Sequence, residues 1–410
     1  MRSAGVGLSC AAVAAALAFA ASGAADDHAR EKAQATLAPD ALAFYGPSAY
    51  NWKLPTWMPR PLEPRDNPTT EAKVELGRRL FYDRRLSVNQ TRSCASCHLQ
   101  ARAFTDGRPV SPGAFGDLTP RNSMTLVNSA YSPILTWANP LLHTLEQQVL
   151  VPLLGREPIE MGMAGREQEL AVRLQAEPIY PPLFARAFPE ATGGAISLAT
   201  VVRALAAFER TLLSYRSPYD RYRYEGDVEA VSSSAIRGEA LFFSERLECH
   251  HCHGNFNLND SVMHERNRLG EVAFHNTGLY NLDGKGAYPP DNTGLREHTG
   301  RPEDMGRFKA PTLRNIEVTA PYMHDGSIAT LEEVIDHYAA GGRTIASGPR
   351  AGAGARNPLK SSFVPGFTLT AEERADLLAF LKSLTDGEFL VDPRFSDPWG
   401  DGSQPVPGGK

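Results

Sequence analysis

The pattern Cys-x-x-Cys-His occurs twice in the 410-residue chain, as Cys94-Ala95-Ser96-Cys97-His98 and as Cys249-His250-His251-Cys252-His253. With five cysteines and eleven histidines in all, chance predicts on the order of 0.002 such matches. The frames therefore carry chemistry. Two thioether bonds to the vinyl groups of a haem need thiols about one helical turn apart, and the adjacent histidine then faces the iron as its proximal ligand. A zinc site or a disulfide pair is the bland alternative; a tetrahedral zinc site would need two more ligands per frame, without a histidine locked behind the second cysteine. The expectation is two covalently attached c-type haems, held by Cys94, Cys97 and His98 and by Cys249, Cys252 and His253.

The N-terminus agrees with that chemistry. Met1-Arg2 leads into an Ala-rich apolar stretch over 4–21, then Ser22-Gly23-Ala24-Ala25 ahead of Asp26-Asp27. This is the pattern of a secretory signal cleaved after Ala24 or Ala25. The alanine content and the small-residue cleavage site speak against a retained anchor, and no later run of ~18 apolar residues exists, so a soluble mature protein is expected. Thioether attachment takes place outside the bacterial cytoplasm, which makes the periplasm the expected compartment. Forty-two Lys and Arg face 47 Asp and Glu, a net charge of -5, and no basic run interleaved with aromatics occurs. Nucleic acid is excluded as a partner.

Ahead of each frame stands a similar segment, Gly77-Arg78-Arg79-Leu80-Phe81-Tyr82 with Leu86, and Gly238-Glu239-Ala240-Leu241-Phe242-Phe243 with Leu247. Each reads as a short amphipathic helix entering a haem loop, and a duplicated cytochrome c unit explains the pair. Leu198, Val201, Val202, Leu205, Phe208 and Leu212 share one helical face, ended by Ser217-Pro218-Tyr219. Thr370 and Glu373 form a capping box before Leu377, Leu378, Phe380, Leu381 and Leu384. Strand-like alternation is scarce. The chain is thus expected to be mainly α, with a signal over 1–25, two cytochrome c-like domains over 26–225 and 226–395, and a flexible tail over 396–410. The Gly, Ala and Pro-rich stretch 339–366 reads as an exposed loop.

Beyond the frames, Arg121-Asn122, Trp137, Leu145-Glu146-Gln147-Gln148, Pro152 and Glu160-Met161-Gly162 recur in a known order, as do Phe308-Lys309-Ala310-Pro311-Thr312-Leu313-Arg314-Asn315 and Thr319-Ala320-Pro321-Tyr322-Met323-His324-Asp325-Gly326. Over about residues 65–390 the chain resembles the MauG and bacterial dihaem cytochrome c peroxidase superfamily. Thr136-Trp137-Ala138-Asn139-Pro140-Leu141-Leu142 and Ser217-Pro218-Tyr219-Asp220-Arg221-Tyr222 look like its MbnH-type branch.

What each iron carries on its second face decides the chemistry, because an open face binds peroxide and a closed one relays or stores charge. No histidine lies between His98 and Trp137, and Ala114 stands where peroxidases of the superfamily commonly place a second axial histidine. The first haem is therefore expected to be open. The resemblance makes Glu160 the distal acid and base, with Gln148 as its polar companion; a carboxyl can move the peroxide proton when burial raises its pKa. His143 is a rival. Fourteen residues beyond His324, where peroxidases carry Met, stands Tyr338, as in MauG. A phenolate stabilises high-valent iron where a thioether stabilises the ferrous state; Met323, Met263 and Met305 are competing ligands. The resemblance further implies Trp137 as a charge relay between the haems. It also implies a calcium ion held by the side chain of Asn122 and the carbonyls of Thr319 and Pro321, a donor set that suits a hard cation.

The leading expectation is an enzyme that uses hydrogen peroxide to reach a high-valent state shared by both irons and then oxidises a side chain on a partner protein. The branch resemblance implies a secreted MbnP-type copper-binding partner and a Trp converted to kynurenine. The runner-up is a peroxidase drawing electrons from a small cytochrome or cupredoxin. MauG's surface Trp, two residues before its second frame, is Leu247 here, so the charge exit differs.

Overall fold

The computed structural model describes residues 50–270 and 272–400; the expected signal segment lies outside them. The protein is mainly helical, and a two-stranded hairpin, Thr344–Ile345 with Gly352–Ala353, is the only sheet among the described residues. None of the helices there is long and apolar enough to cross a membrane.

The same helix crossing is built twice. Glu71–Tyr82, capped by Thr70, packs on Leu198–Arg210; a Cβ on Gly77 would lie 2.0 Å from the carbonyl oxygen of Ala204 and 2.8 Å from Phe208 Cβ. Ser233–Phe242 packs on Ala371–Ser383; a Cβ on Gly238 would lie 1.9 Å from the carbonyl oxygen of Asp376 and 2.9 Å from Phe380 Cβ. Only glycine admits backbones this close. The two contacts also put the halves in register, so that Phe208 corresponds to Phe380 and Glu209 to Leu381.

Each crossing anchors a core. In the first, the ring of Phe81 meets those of Phe104 and Phe208 edge to face at 5.8 and 5.3 Å; in the second, Phe380 meets Tyr219 and Phe242 at 5.2 and 5.0 Å. Rings of this kind contribute about 1.5–3 kcal/mol each through burial. The cores exchange residues: Phe389 and Phe395 pack into the first, Ala138 and Tyr219 into the second. Between the halves Arg314 grips Asp220 through two bonds of 2.8 and 2.9 Å, with both side chains almost fully buried.

Three local expectations change. Ser217 starts a helix as well as following one: its hydroxyl caps Pro218–Glu225, with proline at the first position where its missing N–H is harmless. The 339–366 stretch is exposed over 346–350, as expected of a loop, but its flanks form a short hairpin that packs on the second half. A Cβ on Gly354 would lie 1.9 Å from the carbonyl oxygen of Gly278, so glycine serves close backbone approach, and Val364 is buried. From 396 onward the chain is docked as far as Trp399, whose indole nitrogen donates to the Arg79 carbonyl at 3.1 Å while Arg78 bonds the Ser396 carbonyl at 3.1 Å. Residues 401–410 lie outside the described residues.

Candidate dihaem site

Both Cys-x-x-Cys-His frames form tight turns, Cys94–Ser96 and His250–His253, and all four cysteines are unpaired. Burial pushes the Cys97 thiol up to about 11 and Cys249 up to about 12. Nδ1 of His98 lies 2.7 Å from the Phe104 carbonyl and Nδ1 of His253 lies 3.1 Å from the Leu258 carbonyl. An Nδ1–H donated to a carbonyl leaves Nε2 as the free ligand atom. Phe104 and Leu258 both adopt left-handed backbone, φ 60° and 52°, a conformation that bulky residues avoid. The same strain in both halves turns a carbonyl onto the histidine of each frame. Burial holds both imidazoles below their ordinary range and so favours the neutral form that binds a metal.

The first frame opens on a cavity of about 710 Å³. Gln148, Glu160 and Glu209 line it together with Cys94, Cys97 and His98, the one histidine among its described lining residues. Burial raises Glu160. Gln148 Oε1 is buried without a partner, which suits a site completed by a bound group. Ala114, where the axial histidine of relatives would stand, donates its N–H to the Glu160 carbonyl at 2.7 Å, and Gly113 fits so tightly that a Cβ would fall 1.9 Å from the Ile159 carbonyl oxygen. The loop thus closes on Glu160 without an imidazole. His143 is exposed, bonds the Pro133 carbonyl at 3.0 Å and lines neither cavity; it is no rival base.

The second frame opens on a cavity of about 1280 Å³. Tyr338 and Met323 line it with His253, whereas Met263 and Met305 do not; burial pushes the Tyr338 phenol up. The walls are apolar apart from a few donors. Lys309 is buried, lowered to about 8 by burial and bonded at 2.7 Å to the Ile134 carbonyl. His324 stacks on Phe308 at 3.6 Å and leaves its Nε2 buried without a partner. An apolar slot with a buried cation and one unpartnered imidazole nitrogen suits a flat porphyrin whose carboxylates need partners.

Trp137 comes from the first half yet lines the second cavity, and its indole N–H donates to the Asn122 carbonyl at 2.9 Å. The backbone N–H of Asn122 donates to the carbonyl of His324, in the segment that holds Thr319 and Pro321, at 2.8 Å. Its Nδ2 donates to the Arg108 carbonyl at 2.7 Å, which leaves Oδ1 as an oxygen donor. Leu247 lines the second cavity.

Glu209 is a cavity residue that sequence reasoning passed over. It sits beside the Phe208 stripe, is 6% exposed, and is pushed up to about 8, by burial first and then by the neighbouring Glu146 carboxylate, against the pull of Arg210. Alignment of the two glycine crossings could have found it, because Leu381 holds the same place in the second cavity.

The family profile of di-haem cytochrome c peroxidases matches residues 71–229. The methylamine utilization protein MauG of Methylophilus methylotrophus is 35% identical over 84% of this chain and 91% of its own. The chain belongs to the MauG and dihaem cytochrome c peroxidase family. Another member, cytochrome-c peroxidase IdrP1 of Denitromonas iodatirespirans, is 34% identical over 81% of this chain and 86% of its own. The crystal structure of a MauG-like protein associated with microbial copper homeostasis superposes with a TM-score of 0.83 at 55% identity, covering 86% of this chain and all of that one. This MauG-family member is accordingly a dihaem peroxidase-type oxidoreductase with two c-type haems.

Proposed function

We propose that this enzyme is a MauG-like periplasmic oxidase, in which peroxide enters at the first haem and an amino-acid side chain on a secreted partner is oxidised at a distance. When bound, the haems supply peroxide cleavage at one iron and storage of oxidising equivalents across two. His98 and His253 would hold the irons on their proximal faces and Tyr338 would close the second. Glu160, raised by burial, holds and moves a proton at the peroxide, and Gln148 orients it. Trp137, fixed by Asn122, stands in the second cavity wall as a stepping stone for charge. Asn122 Oδ1 with the carbonyls of Thr319 and Pro321 would hold calcium between the halves.

The observation that carries the reading is the asymmetry of the cavities. Two carboxyls, Glu160 and Glu209, and the Gln148 amide line the first, with no histidine besides His98 among its described lining residues, whereas the second sets Tyr338 with His253 in a wall that also holds His275 and His324. A pocket of this size has no room for a large substrate beside a haem, so oxidation of a protein must run through charge transfer. The MbnH-like motifs point to a copper-binding MbnP-type partner and to Trp conversion into kynurenine. Incubation with peroxide and a secreted MbnP-type copper-binding protein should yield a Trp peptide with the mass of kynurenine. An unmodified partner, with rapid peroxide turnover on a reduced small cytochrome, would favour the plain peroxidase. Met323 in the second cavity is the observation on that side.

A further inference from the structure

The residues between the two cysteines of the second frame are both histidines, and their ring centroids stand only 4.2 Å apart. Successive residues on a helix do not ordinarily face each other. Here both turn toward one carboxylate: Nε2 of His250 lies 3.4 Å from Oε1 of Glu245, and Nε2 of His251 lies 3.4 Å from Oε2. Glu248 bonds the same nitrogen of His251 from the side, its Oε2 2.8 Å away. The donor atoms of Glu245, His250 and His251 all lie within 4.8 Å of one another.

Metal–nitrogen and metal–oxygen bonds of about 2.0–2.1 Å in a tetrahedron put neighbouring donors about 3.3–3.4 Å apart. Each His–Glu separation is close to that edge, one to each oxygen of the Glu245 carboxylate. Other contacts hold the imidazoles in this pose. Phe363 from the 339–366 segment stacks on His251 at 4.4 Å and 15°. His250 keeps its Nδ1 buried without a protein partner, so the ring is committed to Nε2 for outward bonding. Imidazole with carboxylate suits zinc and its first-row neighbours better than calcium or magnesium.

We propose that Glu245, His250 and His251 form a surface site for a divalent transition-metal ion of the zinc class, with water completing the coordination, mounted on the loop that attaches the second haem. The site is separate from the haem irons and from the expected calcium site. It adds a positive charge at the edge of the second cavity.

The test is zinc titration of the haem-loaded protein against a chromophoric competitor in excess calcium. The wild type should bind a zinc equivalent that His250→Gln/His251→Gln binds more weakly by over 100-fold, since loss of a residue that only hydrogen-bonds to a ligand already costs about 10–100-fold. The intervening residues of the frame take no part in thioether attachment, so the haem spectrum should be unchanged and serves as the folding control. Equal zinc affinity in wild type and double variant would overturn the proposal. X-ray absorption on the zinc-loaded wild type gives a second, variant-free readout: two imidazoles in the first shell are expected, and a shell of oxygens alone would overturn it.

Discussion

Glu209→Gln should remove a pH dependence of stability that the wild type must show. The carboxyl is buried in the wall of the first cavity, faced by Glu146 from the neighbouring helix and by Arg210 on its own, and its pKa stands at about 8 against an ordinary 4.5. The folded pKa is raised, so the stabilisation is complete below about pH 4.5 and is lost as pH climbs to about 8. Within that window the native protein holds a proton that the unfolded chain has released. Stability then falls by about 1.4 kcal/mol per pH unit, or about 3 kcal/mol between about pH 5.5 and pH 7.5. Urea unfolding of the haem-loaded protein at several pH values, wild type beside Glu209→Gln, measures the difference in slope. Glu209→Leu, which installs the residue of the second half, should flatten the profile equally and separates the proton from the shape of the side chain. Parallel profiles for wild type and both variants would refute the reasoning and place Glu209 as an ordinary ionised carboxylate.

Glu160→Gln should slow the reaction with peroxide by about 10²–10⁴, as loss of a general acid and base does; an unchanged stopped-flow rate would remove Glu160 from that role. Tyr338→Met should introduce the near-infrared sulfur-to-iron band of thioether ligation, and that band in the wild type would instead assign Met323. Trp137→Phe should retard oxidation of the second haem while leaving peroxide consumption at the first intact, which rapid-freeze Mössbauer spectroscopy resolves. Asp220→Ala strands the buried Arg314 guanidinium and should destabilise the protein by about 3–5 kcal/mol in chemical unfolding; a loss under about 1 kcal/mol would show that water reaches the pair.

Features set by local sequence were legible. The haem frames, the helix at Leu198–Arg210 with its apolar face, and the capping box of Thr370 and Glu373 stand where periodicity and capping put them. Features set by contacts between distant segments were not. A glycine-rich run such as 339–366 reads as a loop because composition cannot distinguish flexibility from the backbone approach that Gly354 makes to Gly278. Glu209 reads as an ordinary helix carboxylate until Gly77 and Gly238 align the two crossings. His250 and His251 read as unremarkable spacer residues of a frame, because their convergence on Glu245 depends on how the turn folds.

The docking of the chain end has a consequence for how the protein is made. Gln100, two residues beyond the first proximal histidine, donates to the carbonyls of Phe389 and Asp392 at 3.2 and 2.8 Å, and the Tyr82 hydroxyl donates to the Phe395 carbonyl at 2.7 Å. Synthesis delivers the N-terminal half first, so that half waits for its final clasp until residues 389–399 have been made. During that interval the first frame is at its most accessible to the attachment machinery, and a chain cut short before Phe389 leaves the first core uncovered although every residue around the first haem has been made.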